Sequence, residues 1–195
     1  MIPASVRLPF SFDPSRLKHD AGRISESEWV AHFNKAIYEG DWSGVALRSV
    51  GGIPGKLYPD PTATLSFADT EVLGRCPYIQ EVLNTFRCPL TAVRILRLRA
   101  GARIGEHRDY KLGYEDGEVR IHIPIQTGPG VAFFLDGCQI LMEEGEAWYL
   151  NLNLPHRVQN ESLTDRLHLV LDCVLNDWLA GSFAAAKPEP STVLV

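Results

Sequence analysis

The stretch "HRDYKLGYEDGEVRIHIPI", His107 to Ile125, puts His107 and Asp109 two positions apart and then sets Arg120 and His122 into an apolar run. Residues two apart on an extended segment point the same way, so an imidazole and a carboxylate are presented together. His156 follows in "NLPHRV", and Arg166, His168 and Asp172 in "DRLHLVLD". Two imidazoles and one carboxylate on one side of a metal make a facial triad, which leaves open positions and favours non-haem Fe(II). His107, Asp109 and His156 can supply that set, with both imidazoles neutral. The arginines raise a second requirement. A buried, unpaired charge is costly, so guanidinium groups among aliphatic residues need anionic partners. A ligand carrying carboxylates would match the bidentate fork of arginine.

These side chains are far apart in sequence and need strands to bring them together. From Leu90 onward, seven short alternating runs follow one another: "AVRILRLR", "VRIHIPI", "VAFFLDG", "QILMEE", "EAWYLNL", "HRVQNES" and "RLHLVLDCVL". Such spacing argues for a β-sandwich or barrel, and Asp136-Gly137 reads as a tight hairpin turn. Ile121, Ile123 and Ile125 share one strand face and Arg120 and His122 the other. Leu167, Leu169 and Leu171 likewise oppose Arg166, His168 and Asp172. The expected fold is mainly β, a double-stranded β-helix (jelly roll, cupin-like) with N-terminal helices packed on one sheet. Two helices are expected. "SESEWVAHFNKAIYEG" has Ser25 and Glu28 as a capping box and Gly40 as a stop. "PYIQEVLNTF" has Pro77 in its first turn, with Tyr78, Ile79, Val82, Leu83 and Phe86 facing the core. Residues 1–89 form a helical and loop region, 90–180 the catalytic roll and 181–195 a flexible tail, in one domain.

The chain has 195 residues, 45% of them hydrophobic, and a net charge of -5. It is long enough for a real core, and its charge gives no support to nucleic-acid binding. Cys76, Cys88, Cys138 and Cys173 form no CxxC pair, which speaks against a zinc ribbon or redox dithiol and for free, small apolar residues. The start "MIPASVRLPF" has no long apolar run, and no stretch approaches the length of a membrane span. The expectation is a cytoplasmic protein acting on a small-molecule or peptide substrate, with no membrane or nucleic-acid partner. Oligomeric state is not readable.

The combination of "HRD", "VRIHIPI", "EEGEAWYLNLNLPHRVQN" and "DRLHLVLDCVLNDWL" resembles the aspartyl/asparaginyl β-hydroxylase family of Fe(II)- and 2-oxoglutarate-dependent oxygenases. The resemblance spans about Val93 to Leu179 and is looser in the N-terminal half. It implies His107, Asp109 and His156 as iron ligands and Arg166 as the arginine holding the far carboxylate of 2-oxoglutarate. Arg120 and His122 fall on an RxH pair that contacts the same co-substrate. Some members, including the animal peptide hydroxylase, lack the carboxylate ligand; Asp109 places this chain nearer the complete-triad branch. A serine that assists co-substrate binding in some relatives has no match here, where Leu96 and its neighbours stand. The implied reaction is O2-dependent hydroxylation of an unactivated C–H bond of an amino acid or an aspartyl/asparaginyl-type side chain, with succinate and CO2 released. The rivals are a cupin-like metalloenzyme that needs no 2-oxoglutarate and a non-catalytic jelly-roll binding module.

The other polar residues have plainer readings. His168 reads as a satisfied structural histidine, and His19 and His32 as surface or structural. Asp172 reads as a hydrogen-bonding residue, and Trp148 and Tyr149 as core or pocket. Arg94, Arg97 and Arg99 read as a solvated sheet face. The loop from Gly51 to Thr64, with Lys56 and Tyr58, is the candidate lid or substrate contact.

Overall fold

A computed structural model describes residues 2–58 and 64–186. Two antiparallel sheets face each other. The larger is ordered β1 (Ser5–Ser11), β11 (Glu146–Leu150), β8 (Glu118–Gln126), β13 (Arg166–Val174), β6 (Leu90–Leu98), β4 (Trp42–Val50) and β2 (Val30–Ala31), with β5 (Phe67–Asp69) also on β4. The smaller runs β10 (Cys138–Ile140), β9 (Val131–Leu135), β12 (His156–Asn160), β7 (Arg103–His107) and β3 (Tyr38–Glu39). All seven expected C-terminal strands are present, and the chain is a jelly roll. The β9–β10 hairpin turns at Asp136 and Gly137, with φ of 50° and 78°. Positive φ at both central residues is what a type I′ turn requires.

Strand alternation sorts the interior into two cores. Ile121, Ile123 and Ile125 of β8 and Leu169 and Leu171 of β13 are fully buried on the outer face of the larger sheet. Three helices cover that face: α1 (Pro14–Ala21), α2 (Pro77–Thr85) and α3 (Asp177–Ala185), through Leu17, Ile79, Val82, Leu83, Leu179 and Phe183. The second core lies between the sheets and includes Trp42, Leu98, Phe133 and Val170. Arg120, His122, Arg166, His168 and Asp172 project into this inter-sheet space, and all five are buried. Trp148 and Tyr149 are core residues, their polar atoms bonded to the Glu146 carboxylate and the Tyr114 N–H.

Several expectations are corrected. Residues 25–40 do not form a helix. Glu28 does accept the Ser25 N–H at 2.9 Å, but the box closes a single 3-10 turn at Glu26–Glu28. Beyond it, Val30 and Ala31 pair with Gly44 and Ser43, and Tyr38 and Glu39 pair with β7. Trp29 lies under the Arg97 guanidinium, while His32 stacks flat on Trp42 at 3.6 Å. These partners lie in different directions, so sheet edges and aromatic contacts override helical spacing. The helix that forms instead is α1, with Asp13 accepting the Ser15 and Arg16 N–H groups and Pro14 at its first position. Arg94 and Arg97 are not solvated. Arg94 shares the inward face with Leu96 and Leu98 and is fully buried, and Arg97 pairs with Glu26. Arg99 is exposed, as expected, and also meets Glu26. Residues 181–185, assigned to the tail, complete α3, and residues 187–195 lie outside the described residues. The middle of the Gly51–Thr64 loop, residues 59–63, also lies outside them. Among the described residues, no helix is long and apolar enough to cross a membrane.

Candidate active site

His107 ends β7 and His156 begins β12, and the two are direct partners across that antiparallel pair. Their ring centroids lie 4.2 Å apart. Asp109 follows β7, anchored by its N–H to the Leu152 carbonyl at 2.9 Å. One ligating atom from each of His107, Asp109 and His156 can be chosen so that all lie within 4.8 Å of one another. The Nδ1 atoms of the two histidines face the Gly105 and Leu154 carbonyls at 2.9 and 3.1 Å. A carbonyl only accepts, so each Nδ1 carries the proton and Nε2 keeps its lone pair for a metal. Burial, and then the neighbouring His107, push His156 down to about 4, which keeps it neutral at physiological pH.

The triad opens into a cavity of about 390 Å³ that also reaches Arg120, His122 and Arg166. Phe133 connects the two ends. Its ring lies 6.1 Å from that of His156, 6.0 Å from that of His122 and 5.9 Å from the Arg166 guanidinium. Arg166 is 3% exposed, its Nε has no partner, and no carboxylate pairs with it among the described residues. Among the described residues, its side-chain hydrogen bond is from Nη2 to His168 Nδ1 at 3.0 Å. Burial lowers Arg166 to about 9, so it stays cationic at neutral pH. Both ring nitrogens of His122 are buried with no hydrogen-bond partner among the described residues. Burial, and then the charge of Arg166, hold that ring well below the ordinary histidine range. Buried polar groups are almost always satisfied, so these orphans mark where a ligand belongs.

Arg120 is placed differently from its neighbours. It is bonded to Asp172 through Nε and Nη2, at 2.6 and 3.0 Å, and to Asp109 Oδ2 through Nη1 at 2.6 Å. Three of its five N–H groups are thereby engaged. Burial alone would raise Asp172, but Arg120 and Arg94 outweigh it and hold the carboxyl below the usual range. The opposite wall of the cavity is aromatic and was not legible in advance. His32, read as surface or structural, is 5% exposed and stacks on Trp42, with Tyr58 edge-on at 5.0 Å. The Trp42 Nε1 and Tyr58 hydroxyl are buried with no hydrogen-bond partner among the described residues. Asp172 had one visible signal, a charge on the polar face of an apolar strand. Trp42 had none, because β4 itself was not anticipated. His19 and Lys56 are exposed and are not among the described residues that line the cavity, whereas Tyr58 of the Gly51–Thr64 loop is.

The fold is a jelly roll in which two histidines and an aspartate that could hold a metal ion share one cavity with a buried arginine. The chain matches the family described as Aspartyl/Asparaginyl beta-hydroxylase over residues 14–175, and it belongs to that family. It is 31% identical over 166 residues to an L-proline cis-4-hydroxylase of Rhizobium meliloti (strain 1021). That match covers 83% of this chain and 57% of the relative, so the chain spans little more than half of the relative's length. Among solved structures, the fold is similar to an oxidoreductase of the 2OG-Fe(II) oxygenase family from Burkholderia pseudomallei. The TM-score is 0.54 at 15% identity, over 88% of this chain and 85% of that one. It is also similar to HygX from Streptomyces hygroscopicus, determined with nickel and 2-oxoglutarate bound. There the TM-score is 0.54 at 12% identity, over 89% and 84% of the two chains.

Proposed function

We propose that this protein is an Fe(II)- and 2-oxoglutarate-dependent dioxygenase that hydroxylates an unactivated C–H bond of an amino acid or an aspartyl/asparaginyl-type side chain. One observation carries the reading: a single cavity holds a three-donor cluster and a buried guanidinium that meets no carboxylate among the described residues. The donor set fits the metal. Two imidazole Nε2 atoms and one carboxylate oxygen would leave the remaining coordination positions for other ligands. The orphaned Arg166 and His122 fit the co-substrate, because a dicarboxylate would satisfy the Arg166 Nε and the His122 ring together. Arg120 lines the same space with its two uncommitted N–H groups.

A bound ferrous ion, with 2-oxoglutarate and O2, supplies the oxidising chemistry that puts a hydroxyl on carbon and releases succinate and CO2. The protein's part is to bind, orient and exclude water. His107, Asp109 and His156 would hold the metal, and Arg166 would fix the far carboxylate so that the other end of the co-substrate reaches them. His122 would donate from a ring that stays neutral. The His32–Trp42 stack and Tyr58 would give the substrate a dry wall. A cavity of about 390 Å³ suits a co-substrate and a small substrate. A free amino acid is therefore the preferred substrate class, and L-proline, the substrate in the relative's name, is the first candidate to try.

Anaerobic addition of Fe(II) and 2-oxoglutarate should give a visible charge-transfer band, and Asp109→Ala should lose it or weaken it greatly. Full band and activity in that variant would refute the ligand assignment. Free amino acids, L-proline among them, would then be screened for substrate-stimulated succinate release. Iron-dependent turnover that ignores 2-oxoglutarate and persists in Arg166→Ala would assign another class of cupin-like metalloenzyme. Ligand binding without O2 consumption, unaffected by His107→Ala, would assign a non-catalytic module.

A further inference from the structure

Asp172 has no role in the proposed reaction, yet it sits at the centre of a network of four charges, of which Arg94, Arg120 and Asp172 are buried and Asp109 is half-buried. It is 1% exposed and lies directly opposite Arg120 in the β8–β13 register. Arg94, itself fully buried, donates to Asp172 Oδ2 at 3.0 Å from the neighbouring strand. Arg120 grips the same carboxylate with the edge formed by Nε and Nη2, at 2.6 and 3.0 Å. That grip leaves Nη1 to donate to Asp109 Oδ2 at 2.6 Å. The two oxygens of Asp109 are thereby divided. Oδ2 belongs to Arg120, and Oδ1 lies 3.8 Å from the His107 Nε2, on the side of the ligand cluster.

A guanidinium free to choose would take both oxygens of a carboxylate through its fork. If Arg120 did this with Asp109, it would draw the carboxylate away from a metal. Asp172 occupies the fork first, so Asp109 meets a single donor. Arg94 and Arg120 balance Asp172 and Asp109, two cations against two anions, and this makes the buried cluster tolerable. We infer that Asp172 is a positioning residue for the metal centre: by fixing the plane of Arg120, it presents Asp109 to the metal through one oxygen. The inference rests on the reading that His107, Asp109 and His156 hold a divalent metal.

The test is a Mn(II) titration of the metal-free full chain, followed by electron paramagnetic resonance of free Mn(II), so that no turnover is needed. Asp172→Asn should raise the Kd for Mn(II) about tenfold or more, the usual effect of losing a group that orients a ligand. At saturating Mn(II), 2-oxoglutarate affinity measured by calorimetry should change less, because Arg166 and His122, two of its three proposed contacts, are untouched. Asp172→Asn leaves one buried cation in excess and can fail to fold. The double variant Arg94→Met/Asp172→Asn restores the balance of charges and should show the same weakened Mn(II) binding. A lower melting temperature with unchanged Mn(II) affinity in either folded variant would assign Asp172 to folding alone and overturn the proposal. If the unaltered protein takes up no Mn(II), the metal reading beneath it fails instead.

Discussion

Arg166 and His168 stand two positions apart on β13, joined by one 3.0 Å contact from the Arg166 Nη2 to the His168 Nδ1. The identity of the acceptor matters. A neutral imidazole steadies a guanidinium without cancelling its charge, whereas a carboxylate in the same place would make an internal ion pair like that of Arg94 and Asp172. Burial, and then the charge of Arg166, keep His168 well below its ordinary range, so the neutral form persists at physiological pH. The cation is thus held in place while its charge remains available to a ligand. Replacing the acceptor separates the two effects. His168→Asp should satisfy Arg166 internally and weaken 2-oxoglutarate binding about tenfold or more, since charge-assisted bonds to a buried cation are among the strong ones. His168→Asn, which places an amide oxygen near the position of Nδ1, should retain most of the affinity. Calorimetry on the metal-loaded protein reads both, and equal affinity in His168→Asp would show that Arg166 is not the anion-binding group.

At the scale of elements, α1 depends on a local device that can be removed without touching the cavity. The Asp13 carboxylate accepts the Ser15 and Arg16 N–H groups at 2.8 and 3.2 Å, satisfying donors that the first turn would otherwise leave open. Asp13→Ala should lower stability by about 1 kcal/mol, read from the urea midpoint, with Mn(II) affinity unchanged. A loss of metal affinity in that variant would mean that α1 positions the site and does more than cover the outer face of the larger sheet. This helix was not anticipated from the sequence, because eight residues carry too little periodicity to stand out. The strands were legible because a sheet with one face against helices and the other lining a cavity forces a period of two. Ile121, Ile123 and Ile125 against Arg120 and His122 is that pattern in one run. Alternation set Arg166 on the inward face and left His107, Asp109 and His156 as a possible metal set, while their particular roles came from the family resemblance. Spacing misled over residues 25–40, where Trp29, Phe33, Ala36 and Ile37 match a helical face by chance. Their real partners, Arg97 for Trp29 and β7 for the Tyr38 edge beside Ile37, come from distant parts of the chain. The charge network around Asp172 was hidden for the same reason. Each strand shows its own polar face, but only the register between strands shows which arginine meets which carboxylate.

Over the whole molecule, four of the six histidines are buried: His32, His122, His156 and His168, none more than 5% exposed. Burial is the largest cause of the lowered value in each, with His32 and His156 at about 4 and the other two well below the ordinary range. In the unfolded chain all four would titrate near their ordinary value of about 6.5. As pH falls from that value toward 4, the unfolded chain takes up protons that the native state refuses, so native stability is lost on acidification and restored as pH rises. Each fully linked histidine contributes a slope of about 1.4 kcal/mol per pH unit in that window. The urea midpoint of the metal-free protein should therefore be level above about pH 7 and fall steeply below about pH 6. A level midpoint down to pH 4.5 would show that these rings are protonated and paired inside the fold. Divalent metal adds a separate contribution. On the proposed reading it binds the native state through His107 and His156, so saturating Mn(II) should raise the urea midpoint at pH 7. The double variant His107→Ala/His156→Ala should lose most of that rise. A rise of full size in the double variant would place the metal away from the two histidines.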